Sequence, residues 1–216
     1  MSHQFSAQIN EKFYTLPKEK QQNIINAGLE VFSKNEYKKA STDEMAAKAG
    51  ISKGLLFHYF KNKKTFYFFL FEYAINLLED LLQKSNITEE MDFFRLLEKG
   101  GALKAKLIEQ HPCMLDFSMG FYYSEKEEVS EEVVNQIQKK VGESYGKYFT
   151  QIDYSKFKPE INPVQIMNML KWMAEGYLNE LRRTNQPIVM EEILAEYKSW
   201  SDMFRTIAYK EDRKNE

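Results

Sequence analysis

Residues 41–60 read STDEMAAKAGISKGLLFHYF, and this stretch decides the fold. Ser41 followed three residues later by Glu44 is a capping box: the hydroxyl accepts from the Glu44 N–H, and the carboxylate can reach back to the cap. A short helix follows through Ala49. Gly50 ends it, because a residue without Cβ enters the left-handed conformation at little cost. Ser52 caps a second short helix from Lys53 to Phe60. Met45, Ala49, Ile51 and Leu56 then fall where two short helices bury a shared core across a tight turn. Ala46 is small where the helices cross. With those residues inward, Ser52, Lys53, Gly54, Phe57 and His58 lie on the outer face of the second helix, which in a helix-turn-helix enters a major groove. Ala-x-x-x-Gly alone fits any αα-hairpin. Cap, turn glycine, core spacing and local basic charge together favour DNA binding.

Working outward, Pro17 suits the first turn of a helix, where its missing N–H costs nothing. Ile24, Ile25, Gly28, Leu29 and Phe32 recur at helical spacing behind it, so one face is buried. A polar arm precedes this helix. After the quoted stretch, Lys61-Asn62 interrupts and a long helix runs from about Lys63 to Leu82. Further helices are predicted at roughly 89–110, 112–123, 125–151, 163–184 and 189–209. His111-Pro112 and Asn162-Pro163 mark boundaries, with Asn162 as cap and Pro163 at the first helical position. Residues 153–161 read as an irregular loop. The expectation is an all-α chain of about nine helices, divided into an arm and three-helix DNA-binding domain (1–62) and a C-terminal helical body (63–216).

Composition agrees. Phe (16) and Tyr (13) are plentiful while Gly (9) and Pro (5) are scarce, which favours long helices with bulky interfaces. Net charge is −2, but residues 1–64 hold 11 Lys against six Asp/Glu, +5, and the remainder holds 19 Lys/Arg against 26 Asp/Glu, −7. A basic head on an acidic body attracts phosphate at one end only. The single Cys113 has no internal disulfide partner, which suits a reducing cytoplasm. Residues 1–13 lack a basic start and an apolar core, so no secretory leader is expected. The longest apolar run, Phe66 to Phe71, is far short of the roughly 20 residues of a membrane span.

Enzyme chemistry finds little purchase. The histidines are His3, His58 and His111, none in a Glu-x-x-His pair, and HExxH, P-loop and GxGxxG patterns are missing. No catalytic residue, cofactor or metal site is expected.

The stretch Ala27 to Ala74, with STDEMAAKAGISKGLLFHYFKNKKTF at its centre, resembles the DNA-binding domain of the TetR family of regulators. The resemblance covers about the first third of the chain, roughly residues 17–74. It places Thr42 against the phosphate backbone, where a hydroxyl and a helix N-terminus both favour an anion. Lys53, Gly54 and Leu55 would face base edges, Lys53 toward guanine O6/N7 and Leu55 toward a thymine methyl. His58 and Tyr59 would clamp the sugar-phosphate strand, and Lys63 would hold a phosphate. Phe57 departs from the tyrosine common in the family, so a phenolic hydrogen bond gives way to an apolar contact.

The resemblance further implies a dimer, an effector and, by family default, repression of a palindromic operator. One late helix carries Leu170, Tyr177 and Leu181, and the next carries Ile193, Tyr197 and Phe204. These stripes fit an intrachain pair or a four-helix interface with a second copy, and the resemblance implies the latter. Two reading heads must sit about 34–36 Å apart to occupy successive major grooves. For a small hydrophobic or amphipathic effector, candidate lining residues are Phe93, Leu97, Phe117, Phe121 and Tyr122. Tyr145, Met169, Trp172 and Met173 extend the same set, though each suits plain core as well. A DNA-binding factor with no effector is the alternative function.

Overall fold

The computed structural model describes residues 9–123, 135, 139, 142, 143 and 146–211. Two compact units form: Met1–Asp80 with Gln110–Ser144, and Leu81–Glu109 with Tyr145–Glu216. Nine α-helices lie among the described residues, with no strand beyond one isolated bridge between Phe157 and Tyr209. The fold is all-α.

The first unit holds α1 (Glu11–Tyr14), α2 (Lys18–Lys34), α3 (Thr42–Lys48), α4 (Lys53–Phe60), most of α5 (Lys63–Lys84) and α7 (Cys113–Tyr123). The described part of the arm, from Ile9, is not merely polar and joins this core. Asn10 caps α1, and Phe13 is 1% exposed. Its ring lies 4.9 Å from Phe60 and 5.2 Å from Phe69, centroid to centroid. Phe60 in turn packs on Phe66 at 4.4 Å, so the end of α4 is gripped by α1 and α5 together. A second aromatic group joins α2, α5 and α7: Tyr67 meets Phe32 at 4.7 Å and Phe117 at 5.3 Å, and Phe71 meets Phe117 at 4.4 Å. Gly28 of α2 allows close approach to α5, since a Cβ there would lie 2.5 Å from the Phe66 ring and 2.8 Å from Leu70.

The second unit contains α6 (Phe93–Gln110, but for its last residue), α8 (Pro163–Arg183) and α9 (Met190–Ala208). A 3-10 turn at Asn86–Glu89 precedes α6, so that helix starts later than the pattern suggests. Asn162 accepts from the Val164 N–H at 3.0 Å with Pro163 in the first turn, as its sequence predicts. Phe93, Phe94, Phe157 and Tyr209 form the aromatic centre of this unit. Buried Ser201 donates to Glu98 Oε1 at 2.7 Å, and Arg205 reaches the same carboxylate at 3.0 Å, tying α9 to α6. Most of the helix expected at 125–151 lies outside the described residues, and Lys147–Phe149 within it is a 3-10 turn.

Candidate nucleic-acid interface

The site is assembled by two caps and a turn. Ser41 Oγ accepts from the Glu44 N–H at 3.3 Å and starts α3. Gly50, with φ +67°, lets the Ile51 N–H return to the Ala46 carbonyl at 3.0 Å. Ser52 Oγ then accepts from the Leu55 N–H at 3.2 Å and starts α4. Asn62 Oδ1 accepts from the Thr65 N–H at 2.9 Å and starts α5. The helix-turn-helix is therefore set by short-range polar groups, each satisfying donors that a helix start leaves unpaired.

Its orientation is set by burial. Met45, Ala46, Leu56 and Phe60 are buried, while Lys53, Gly54, Leu55 and His58 are exposed and Phe57 is half-buried. Thr42 stands half-buried in the first turn of α3. Tyr59 does not join the outer face. It is buried, with its ring 5.9 Å from Phe13, and its carbonyl accepts from the Asn10 N–H at 2.9 Å. Tyr59, expected to clamp the sugar-phosphate strand, lies on the flank of α4 that α1 covers.

Each outward cation or donor has a neighbour that spacing did not reveal. Lys53 Nζ meets Asp43 Oδ2 at 2.8 Å. His58 Nε2 lies 3.3 Å from Asn10 Nδ2. Lys63 Nζ donates to the Lys38 carbonyl at 3.1 Å and stands 4.7 Å from the centre of the Tyr37 ring. Behind this face, Glu30 takes hydrogen bonds from Lys34 and Lys48, which hold its carboxyl down to about 2. Asp43, Asn10 and Tyr37 are additions to the site. Only the Asn10-Glu11 cap before Phe13 left a local trace in the sequence.

The body residues separate by burial. Phe93 and Phe117 are fully packed, each within its own unit's aromatic group. Leu97 and Met173 are half-buried, whereas Met169 and Trp172 are exposed at 38% and 62%, so neither lines an enclosed cavity in the single chain. The side chains of Phe121 and Tyr122, and all of Tyr145, lie outside the described residues. Leu170 and Leu181, expected at an interface with a second copy, are buried within the single chain. Tyr177, Ile193, Tyr197 and Phe204 are half-buried. Tyr177 packs edge-on against Trp200 at 5.7 Å, and burial followed by the charge of Glu98 pushes the Tyr197 hydroxyl up to about 12.

A capped helix-turn-helix with a basic outer face is the arrangement of a DNA-binding module. Residues 24–68 match the model for bacterial regulatory proteins of the tetR family. No match is found among curated protein sequences. Among solved structures, a TetR family transcriptional regulator from Chloroflexus aurantiacus J-10-FL is similar with TM-score 0.66 and 18% identity, covering 94% of this chain and 99% of that one. FadR from Bacillus subtilis, in complex with stearoyl-CoA, is similar with TM-score 0.67 and 19% identity, over 86% and 97% of the two chains. The fatty acid degradation regulator FadR from Bacillus halodurans gives 0.66 and 17%, over 85% and 97%. At these identities the likeness is one of fold. Among the described residues no helix is long and apolar enough to cross a membrane.

Proposed function

We propose that this regulator is a cytoplasmic homodimeric repressor that reads a palindromic operator through α4 and releases it when a small, mainly hydrophobic or amphipathic effector binds the body. Residues 1–62 would serve as the reading head and 63–216 as the effector-binding and dimerising part. The observation that carries the reading is the division of α4: Leu56, Tyr59 and Phe60 are buried while Lys53, Gly54, Leu55 and His58 face outward. Lys53, Gly54 and Leu55 then meet base edges, and Thr42, His58 and Lys63 hold phosphates. One short helix contacts few base pairs, so affinity needs two copies in register.

Release follows from how α4 is held. Phe60 packs on Phe66 at 4.4 Å and on Phe69 at 5.1 Å, so a tilt of α5 carries the reading helix with it. An effector drives that tilt only as far as it binds the released state more tightly. The stearoyl-CoA bound by the similarly folded Bacillus subtilis FadR supports an amphipathic effector.

Selection of bound DNA from a random library tests the reading. A palindromic site is expected, with affinity falling steeply as salt rises. Lys63→Ala should weaken all sites alike, and Lys53→Ala should relax preference at one position in each half-site. Equal effects of the two changes at every base would overturn the assigned roles.

A further inference from the structure

In the second unit, the end of α9 and the start of α6 frame an open cleft of about 870 Å3. Arg95, Lys156, Lys158, Arg205 and Lys210 line it, against only two carboxylates, Asp92 and Glu211. That surplus is not what the composition of the body supplies, since residues 65–216 carry a net charge of −7. Cations have been gathered here.

How they are held bears on what they can bind. Lys158 Nζ donates to the Ile207 carbonyl at 2.8 Å, and Lys210 Nζ to the Ser155 carbonyl at 2.7 Å. Neutral acceptors position an ammonium without cancelling its charge, and each ammonium has three donors to offer. The frame beneath is hydrogen-bonded through the backbone. The Lys158 N–H reaches the Ala208 carbonyl and the Lys210 N–H reaches the Lys156 carbonyl, both at 2.9 Å, around the Phe157–Tyr209 bridge. Lys156 and Arg205 are partly neutralised, by Asp92 at 3.2 Å and by Glu98 at 3.0 Å. Arg95, Lys158 and Lys210 form no salt bridge with a described residue and carry most of the cleft's positive field, with Glu90 near Arg95 and Asp153 near Lys210. Its size falls within the roughly 300–1,000 Å3 of small-molecule sites.

We infer that this cleft is a binding site for a small molecule carrying two or more phosphate groups. A lone carboxylate would engage one of the three cations, whereas a di- or triphosphate spans them with charge-assisted bonds. The inference stands apart from the operator and effector readings, because it concerns residues that neither uses.

Calorimetric titration of the full chain with inorganic tripolyphosphate tests it, with phosphatidate-containing vesicles as a second probe. Saturable binding at one site per chain is expected. Arg95→Glu and Lys210→Gln should each weaken it by about tenfold or more, while the Lys53→Ala/Lys63→Ala variant changes it less than twofold. Arg95 is exposed, so its loss reads binding more than folding. Absence of saturable binding, loss in the helix-turn-helix variant, unchanged binding in Arg95→Glu, or binding to vesicles alone would each overturn the assignment.

Discussion

The ammonium of Lys53 lies 2.8 Å from a carboxylate oxygen of Asp43, bridging the first turns of the two helices of the helix-turn-helix. Both groups are exposed, at 47% and 69%, so the pair adds little to stability. Under the proposed reading it bears on binding, because a base-reading Lys53 would have to leave Asp43 first. Asp43 also places a negative charge on the face proposed to approach phosphate.

Asp43→Asn should therefore tighten operator binding by about twofold to fivefold, in line with the small worth of an exposed pair. The melting temperature should hardly move. Fluorescence anisotropy at two salt concentrations, with a thermal melt in parallel, checks both statements. Weaker binding by the variant would mean that Asp43 orients Lys53 for reading instead of competing with DNA.

Much of the local structure was legible because its causes are local. Ser41, Ser52 and Asn162 cap helices within three residues of themselves, and Gly50 turns the chain where it stands. Phe13 was not legible, since its burial depends on Tyr59, Phe60 and Phe69, all more than 40 residues away. The same contact hides Tyr59, which helical periodicity alone leaves on the boundary between faces. In α8, Leu170 and Trp172 are both apolar, yet one is fully buried and the other 62% exposed. Periodicity gives the width of an apolar stripe, not which edge its own chain covers.

Gly28 and Gly50 offer a test of two different reasons for glycine. At Gly28 an added Cβ collides with the Phe66 ring at 2.5 Å, and that ring is itself wedged against Phe60. Gly28→Ala should destabilise by about 1–3 kcal/mol through overpacking. At Gly50 there is open space, but φ is +67°, so Gly50→Ala should cost about 1–2 kcal/mol through backbone strain. Denaturant melts give both values. Shortening Phe66 to Leu should rescue the first variant and not the second. Rescue of neither would show that α2 and α5 are not packed as closely as Gly28 implies.

Glu30 links stability to pH. Hydrogen bonds from Lys34 and Lys48 lower its pKa from 4.5 to about 2 in the folded chain. A depressed carboxylate contributes stability that is complete above its unfolded pKa and is lost as pH falls through the folded value. Acid melts between about pH 4.5 and 2 should thus show a decline that Glu30→Gln makes shallower. The side chain is accessible, so the effect is modest, and high salt should reduce it. Identical acid profiles for the two proteins would argue that the Lys34–Glu30–Lys48 contacts do not persist in solution.

The exposed apolar residues of the last two helices bear on assembly. Trp172 and Met169 on α8 are exposed, as are Met203 at 50% and Ile207 at 54% on α9. Bulky apolar groups in that number on two helices are costly to leave in water, and burying them against a second copy removes the cost. Leu170, fully buried by its own chain, supports the helices from behind instead. Trp172→Glu would place a charge where the proposed interface is dry, and light scattering should show a shift from dimer to monomer with the helical signal intact. Leu170→Ala should do the opposite, lowering stability by about 2–5 kcal/mol while the folded fraction stays dimeric. Operator affinity should fall with the first change, because a single reading head loses its partner in the next groove. A Trp172→Glu protein that remains a full-affinity dimer would place the interface elsewhere on the chain.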